Sequence, residues 1–135
     1  MAETLSVMLI DDNEFDLFLN ERFIQTKNLA HKIVKFDYAD DAFQYLDTAA
    51  LNDLPDIILL DIHMPIMDGF EFLEKYGTLP PEKLNKTRII MVSSSLDQND
   101  NIRAKENPSV LALLTKPLNM DDMMRLLREN GVLNE

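Results

Sequence analysis

No cysteine occurs in this 135-residue chain, which excludes disulfide frameworks, thiolate metal sites and cysteine nucleophiles. The lack also permits the reducing cytoplasm, the compartment we expect. Glycine and proline are scarce, at three and six residues, and 46% of the side chains are apolar; this composition argues against disorder. Basic residues are outnumbered, 13 against 24 acids, for a formal charge of −11. A nucleic-acid backbone would repel such a surface and no Lys/Arg-rich tail offsets it, so no direct DNA or RNA binding is expected. A long hydrophobic run is missing too. Residues 1–6 hold an acid and no base, and the apolar run that follows meets Asp11-Asp12 after four residues. That is too short for a signal peptide or a membrane span.

Repeats, low-complexity tracts and linkers are also lacking, so residues 1–135 read as one domain. A fold of this size buries roughly 65–70% of the surface its unfolded chain exposes and needs no staple. What recurs is a short apolar run followed by an amphipathic segment. Val7-Met8-Leu9-Ile10 suits a buried strand. Asn13 is placed to cap the next helix, with Asp16 near its positive end. Phe15, Phe18, Leu19 and Phe23 then fall on one helical face, predicted to point inward, in a helix reaching about Lys27.

Lys32 to Tyr38 alternates like a strand nearer a sheet edge. Asp40 or Asp41 starts a second helix with Ala42, Phe43, Leu46 and Ala49 or Ala50 inward. Ile57-Ile58-Leu59-Leu60 is the third strand and stops at Asp61. Within the following loop Pro65 bars a helix, Asp68-Gly69 suits a turn of positive φ, and a short helix runs from Phe70 to about Tyr76. Past a Pro80-Pro81 loop, Arg88 to Val92 forms strand four, followed by three serines and a weak helix from Leu96 to Lys105. Val110 to Leu114 is strand five. Asn119 caps a last helix buried along Met120, Met123, Met124 and Leu127, which Gly131 can end. Strands this apolar are covered on both faces, so the chain reads as α/β, (βα)5, a doubly wound parallel sheet. The expected strand order is 2-1-3-4-5.

Open parallel sheets bind ligands beyond the carboxyl ends of their strands, where the winding reverses. Asp11 and Asp12 follow strand one, Asp61 follows strand three, Ser93 follows strand four and Lys116 follows strand five. Three carboxylates in one cleft repel one another unless a cation compensates. Oxygen ligands without His or Cys select a hard cation, and Mg²⁺ fits. It would join Asp12 and Asp61, with Asp11 bound directly or through water and the backbone carbonyl near His63 completing the protein ligands. Lys116 adds an ammonium and Ser93 a hydroxyl. A phosphoryl donor would meet these charges with the Asp61 carboxylate as nucleophile, giving a hydrolysable acyl phosphate.

Asp11-Asp12, Leu59 to Pro65 with Met67-Asp68-Gly69, Val92-Ser93 and Thr115-Lys116-Pro117 together resemble the signature of response-regulator receiver domains, from about Val7 to Leu127. The resemblance implies a flavodoxin-like fold, Mg²⁺ dependence and phosphotransfer from a sensor histidine kinase or histidine phosphotransfer protein. It makes Asp61 the phosphoacceptor, Asp11 and Asp12 metal ligands, Ser93 the switch hydroxyl and Lys116 the phosphate contact, followed by a cis Pro117. Such a chain is a signalling switch with no output domain of its own, not an enzyme. It would act by docking a target on the face of the fourth helix, fifth strand and fifth helix, or pass its phosphoryl group onward in a relay. His63 and Ser95, flanking the phosphoryl site, are expected to tune how fast water attacks.

Two departures stand out. Leu113 occupies a position that is often aromatic, so a serine–aromatic switch cannot operate, and Asn107-Pro108-Ser109 replaces a loop that often contains glycine. Rival readings are weaker. A haloacid-dehalogenase-like phosphohydrolase needs an acid where His63 stands. A flavin carrier needs a phosphate loop where Asp11-Asp12-Asn13-Glu14 stands. The alternative is a degenerate receiver serving only as a phosphorylation-independent protein-binding module; the acceptor, acid pair, hydroxyl and lysine, all present, weigh against it.

Overall fold

The computed structural model describes residues 4–95 and 97–134. Five strands, β1 (Leu5–Ile10), β2 (Ala30–Phe36), β3 (Ile57–Asp61), β4 (Arg88–Ser93) and β5 (Val110–Thr115), form one sheet in the order β2-β1-β3-β4-β5. Every pairing is parallel. The helices are α1 (Glu14–Thr26), α2 (Ala39–Thr48), α3 (Gly69–Tyr76), α4 (Pro81–Leu84), α5 (Gln98–Lys105) and α6 (Met120–Glu129). This is the α/β doubly wound sheet that the apolar runs predict, and the flavodoxin-like fold that the resemblance implies. α4 is the addition, so the helix after β4 is α5 and the last is α6. Leu96, where the sequence reading begins the helix after β4, lies outside the described residues.

Alternate side chains of the central strands divide the core in two. Met8, Ile10, Ile58, Leu60, Ile89 and Met91 meet α2, α3 and α5 on one face. Val7, Leu9, Ile57, Leu59, Ile90 and Val92 meet α1 and α6 on the other. The buried stripe of α6 is Met120, Met123 and Leu127, with Met124 half-buried. Asn13 and Asn119 cap α1 and α6 as expected, accepting from the backbone N–H of Asp16 and Asp122.

α1 turns inward a face that only partly matches the one its sequence suggests: Phe23 packs partly buried against the core, but the first two turns differ. Leu17, Asn20 and Ile24 are buried, whereas Phe15 is 66% and Phe18 is 53% exposed. The helix has apolar residues around most of its circumference, and packing against β1 and β2 selects the narrower stripe. Phe18 lies under the guanidinium of Arg22, 5.8 Å from the ring centroid, which shields part of it from water.

The Pro80-Pro81 segment is not only loop. Pro81 opens α4 at a position where a missing N–H costs nothing. Lys83 of that turn then donates to the carbonyls of Leu46 and Asp47 at 2.9 and 2.8 Å. α2 has no basic residue in its own last turn, so Lys83 supplies the cation its negative end favours.

Candidate functional site

Strand register builds the site. Ile10 lies opposite Leu60 across β1 and β3, so Asp11 and Asp61, each one residue further on, emerge side by side. Their carboxylates and that of Asp12 have oxygens all within 4.8 Å of one another. Asp11 and Asp61 are buried, at 3% and 4% exposure, and Asp12 is exposed. The Asn13 backbone N–H donates to Asp11 Oδ1 at 2.9 Å, fixing that carboxylate. Three clustered oxygen donors without nitrogen or sulfur suit a hard divalent cation.

β4 and β5 deliver the remaining groups. Ser93 lies opposite Thr115, and the Lys116 backbone N–H donates to the Ser93 carbonyl at 2.8 Å. The Lys116–Pro117 peptide is cis, as the resemblance implies. Lys116 Nζ donates to Asp11 Oδ2 at 2.8 Å and to Asp16 Oδ2 at 2.9 Å. Asp61 Oδ1 is an ion-pair partner at 3.5 Å. The Ser93 hydroxyl is committed elsewhere: it donates to the Ser95 carbonyl at 2.8 Å and accepts from the Ser95 N–H at 3.2 Å.

The excess of negative charge appears in the acid–base properties. Burial, then the charge of Asp11, pushes Asp61 up to about 6, against the opposing pull of Lys116 and the His63 N–H. Burial alone would depress Lys116, but the hydrogen bonds it donates to Asp11 and Asp16 and the nearby charges of Asp11 and Asp61 hold it above the usual lysine range. Beside burial, the charge contribution to both shifts comes from a single ammonium set among several carboxylates, and a bound cation would offset that contribution.

The loop after β3 departs from its expected turn. Asp68 is the N-cap of α3, its side chain accepting from the Glu71 N–H while Glu71 accepts from the Asp68 N–H. That reciprocal pair is a capping box. Positive φ falls instead on Ile66, at 70°, where the Met67 N–H donates to the Pro65 carbonyl at 2.7 Å. A bond of that span across positive φ marks the strained γ-turn, and the Ile66 side chain is 88% exposed. Gly69 is needed for a close approach: a Cβ there would lie 2.8 Å from the Asp61 carbonyl oxygen and 2.9 Å from Ile62 Cα. His63 is exposed and its backbone N–H donates to Asp61 Oδ1 at 3.4 Å.

Away from the cleft, Leu113 lines a cavity of ≈ 320 Å³ between α5 and β5, with Asn101, Ala104 and Lys105 opposite. A leucine fills less of that space than an aromatic ring. The Asn107-Pro108-Ser109 loop closes as a compact turn, Asn107 Oδ1 accepting from the Ser109 N–H at 2.9 Å. Further features escape the sequence reading. Asp16 is a second partner of Lys116, although its place in the first turn of α1 reads only as helix-dipole chemistry. The helical spacing predicts Phe15 and Phe18 in the core, whereas both are exposed.

Comparison with known proteins gives a consistent picture. The family model for the response regulator receiver domain matches residues 7–128. A response regulator receiver protein from Dyadobacter fermentans superposes with a TM-score of 0.84 at 36% identity, covering 92% of this chain and 95% of that one. A two component response regulator from Cytophaga hutchinsonii gives 0.87 at 32% identity, over 98% and 99%. The response regulator PleD of Caulobacter vibrioides is 33% identical over 122 residues, 90% of this chain and 24% of PleD. The chain thus spans a quarter or less of the length of several curated relatives it matches.

Proposed function

The chain belongs to the response regulator receiver domain family, a family of two-component signalling switches rather than typical enzymes, and from that premise we propose that it accepts a phosphoryl group on Asp61. The observation that carries this reading is the convergence of Asp11, Asp12 and Asp61 with the Lys116 ammonium at the carboxyl edge of β1, β3 and β5. Asp11, Asp12 and Asp61, with the His63 backbone carbonyl, would hold Mg²⁺. When bound, the cation supplies positive charge for the carboxylates and for phosphoryl oxygens.

In the proposed reaction, an Asp61 carboxylate oxygen forms a bond to phosphorus as the bond between phosphorus and the donor's histidine nitrogen breaks. The electron pair leaves with that nitrogen, which takes up a proton. Lys116 offsets charge on the phosphoryl oxygens. Ser93 turns from the Ser95 carbonyl to donate to one of them. The donor is a sensor histidine kinase or histidine phosphotransfer protein in the cytoplasm. Phe15 and Phe18 on α1 and Ile66 in the loop after β3 are exposed and provide apolar surface for it.

The target docks on the α5, β5 and α6 face, where Ile102 is 53% exposed and the cavity beside Leu113 lies open. Phosphorylation shifts that face between pre-existing states. Intact mass after incubation with Mg²⁺ and acetyl phosphate tests the central claim. The wild-type chain gains one phosphoryl group and Asp61→Asn gains none. No gain in the wild type, or a gain surviving in the variant, overturns it.

A further inference from the structure

We propose that Asp16 is a positioning residue for this chemistry: its carboxylate holds the Lys116 ammonium on the α1 side of the cleft and yields it when an anionic group arrives at Asp61. The inference rests on the phosphoacceptor reading, which it deepens.

Three distances locate the resting ammonium. Asp11 and Asp16 accept from Lys116 Nζ at 2.8 and 2.9 Å, while the nearest Asp61 oxygen stands at 3.5 Å. Two charge-assisted hydrogen bonds of ideal length thus draw the ammonium toward β1 and α1, away from the acceptor. The side chains are sheltered, Lys116 at 14% exposure and Asp16 at 27%, so their attraction is less screened than at a free surface.

Asp16 does not belong to the oxygen cluster that suits a cation; that group comprises Asp11, Asp12 and Asp61. Its side chain has one charged partner among the described residues, Lys116. The backbone beneath it is pinned, because the Asp16 N–H donates to the Asn13 cap at 3.1 Å. An acid serving only the helix dipole has no need to reach across to β5, since the first-turn position alone supplies that effect. Glu14, in the same first turn, does supply it without an ion pair to Lys116.

The sign follows from charge. An anion at Asp61 requires the ammonium that Asp16 holds, and the Asp16 carboxylate also repels that anion directly. Both effects oppose anion binding. A divalent cation feels the reverse: removing Asp16 takes away a nearby negative charge and frees Lys116 to compete for Asp11 and Asp61.

Beryllofluoride, an analogue of the phosphoryl group, is titrated at saturating Mg²⁺ into wild type, Asp16→Asn and Glu14→Gln, followed by NMR; Mg²⁺ alone is titrated in parallel. Asp16→Asn binds beryllofluoride about three- to tenfold more tightly and Mg²⁺ about twofold more weakly, in keeping with a partly screened ion pair. Glu14→Gln matches the wild type in both. Disruption of α1 would instead weaken both ligands together. Unchanged or weaker beryllofluoride binding in Asp16→Asn overturns the proposal, as does an equal gain in Glu14→Gln. Failure of the wild type to bind beryllofluoride would remove the phosphoacceptor reading itself, a separate result.

Discussion

Asp61 is buried among like charges, and the cost of that placement depends on pH. Its folded value of about 6 lies above the ordinary 3.8, so between about pH 4 and pH 6 the folded protein holds a proton that the unfolded chain has released. Stability attributable to this group is therefore greatest at low pH and is lost as pH rises through that window. Without divalent cation, Asp61→Asn stabilises the protein at pH 7 by on the order of 2 kcal/mol in urea unfolding, a gain that shrinks toward zero near pH 4. A gain independent of pH would refute the electrostatic cause. The placement of Asp61, Asp11, Asp12, Ser93 and Lys116 at one sheet edge was legible in the sequence because each follows an apolar run. Asp16 was not, since its role depends on where a lysine a hundred residues later folds back. Nor was Ile66, because a β-branched residue at positive φ contradicts local preference and is held there by its loop.

Elements were legible where burial is two-sided. β1, β3 and β4 each contain four consecutive apolar residues, Val7–Ile10, Ile57–Leu60 and Ile89–Val92, and runs that short between polar residues suit a buried strand rather than a buried helix. α1 misled because Phe15, Phe18, Leu19 and Phe23 keep helical spacing as well as Leu17 and Ile24 do; only the neighbouring strands decide between the two stripes. α4 escaped for another reason. A four-residue turn has no periodicity to read, and its stabilising contact is Lys83 to the end of α2. Lys83→Met retains the aliphatic stem and removes the ammonium. It lowers stability by about 1 kcal/mol in urea unfolding and speeds amide exchange in the last turn of α2. Exchange that quickens throughout the sheet instead would deny the local capping role.

At the scale of the whole molecule, a charge of −11 favours solubility but works against compactness through self-repulsion. Raising ionic strength with KCl to about 0.5 M raises Tm by about 2–5 °C, as screening relieves that repulsion. A fall in Tm would mean that attractive pairs outweigh it. Strand order was legible at this scale because a five-strand doubly wound sheet has few arrangements consistent with right-handed crossovers. The route from cleft to distant face was not, because Leu113 departs from the usual pattern. Ser93 offers a different conduit. Its hydroxyl clasps the Ser95 carbonyl, so turning that hydroxyl toward Asp61 unfastens the backbone itself. Under the proposed function, a phosphoryl group on Asp61 would thus be felt as a loosened clasp between Ser93 and Ser95 just past β4, with no ring required to swing at position 113.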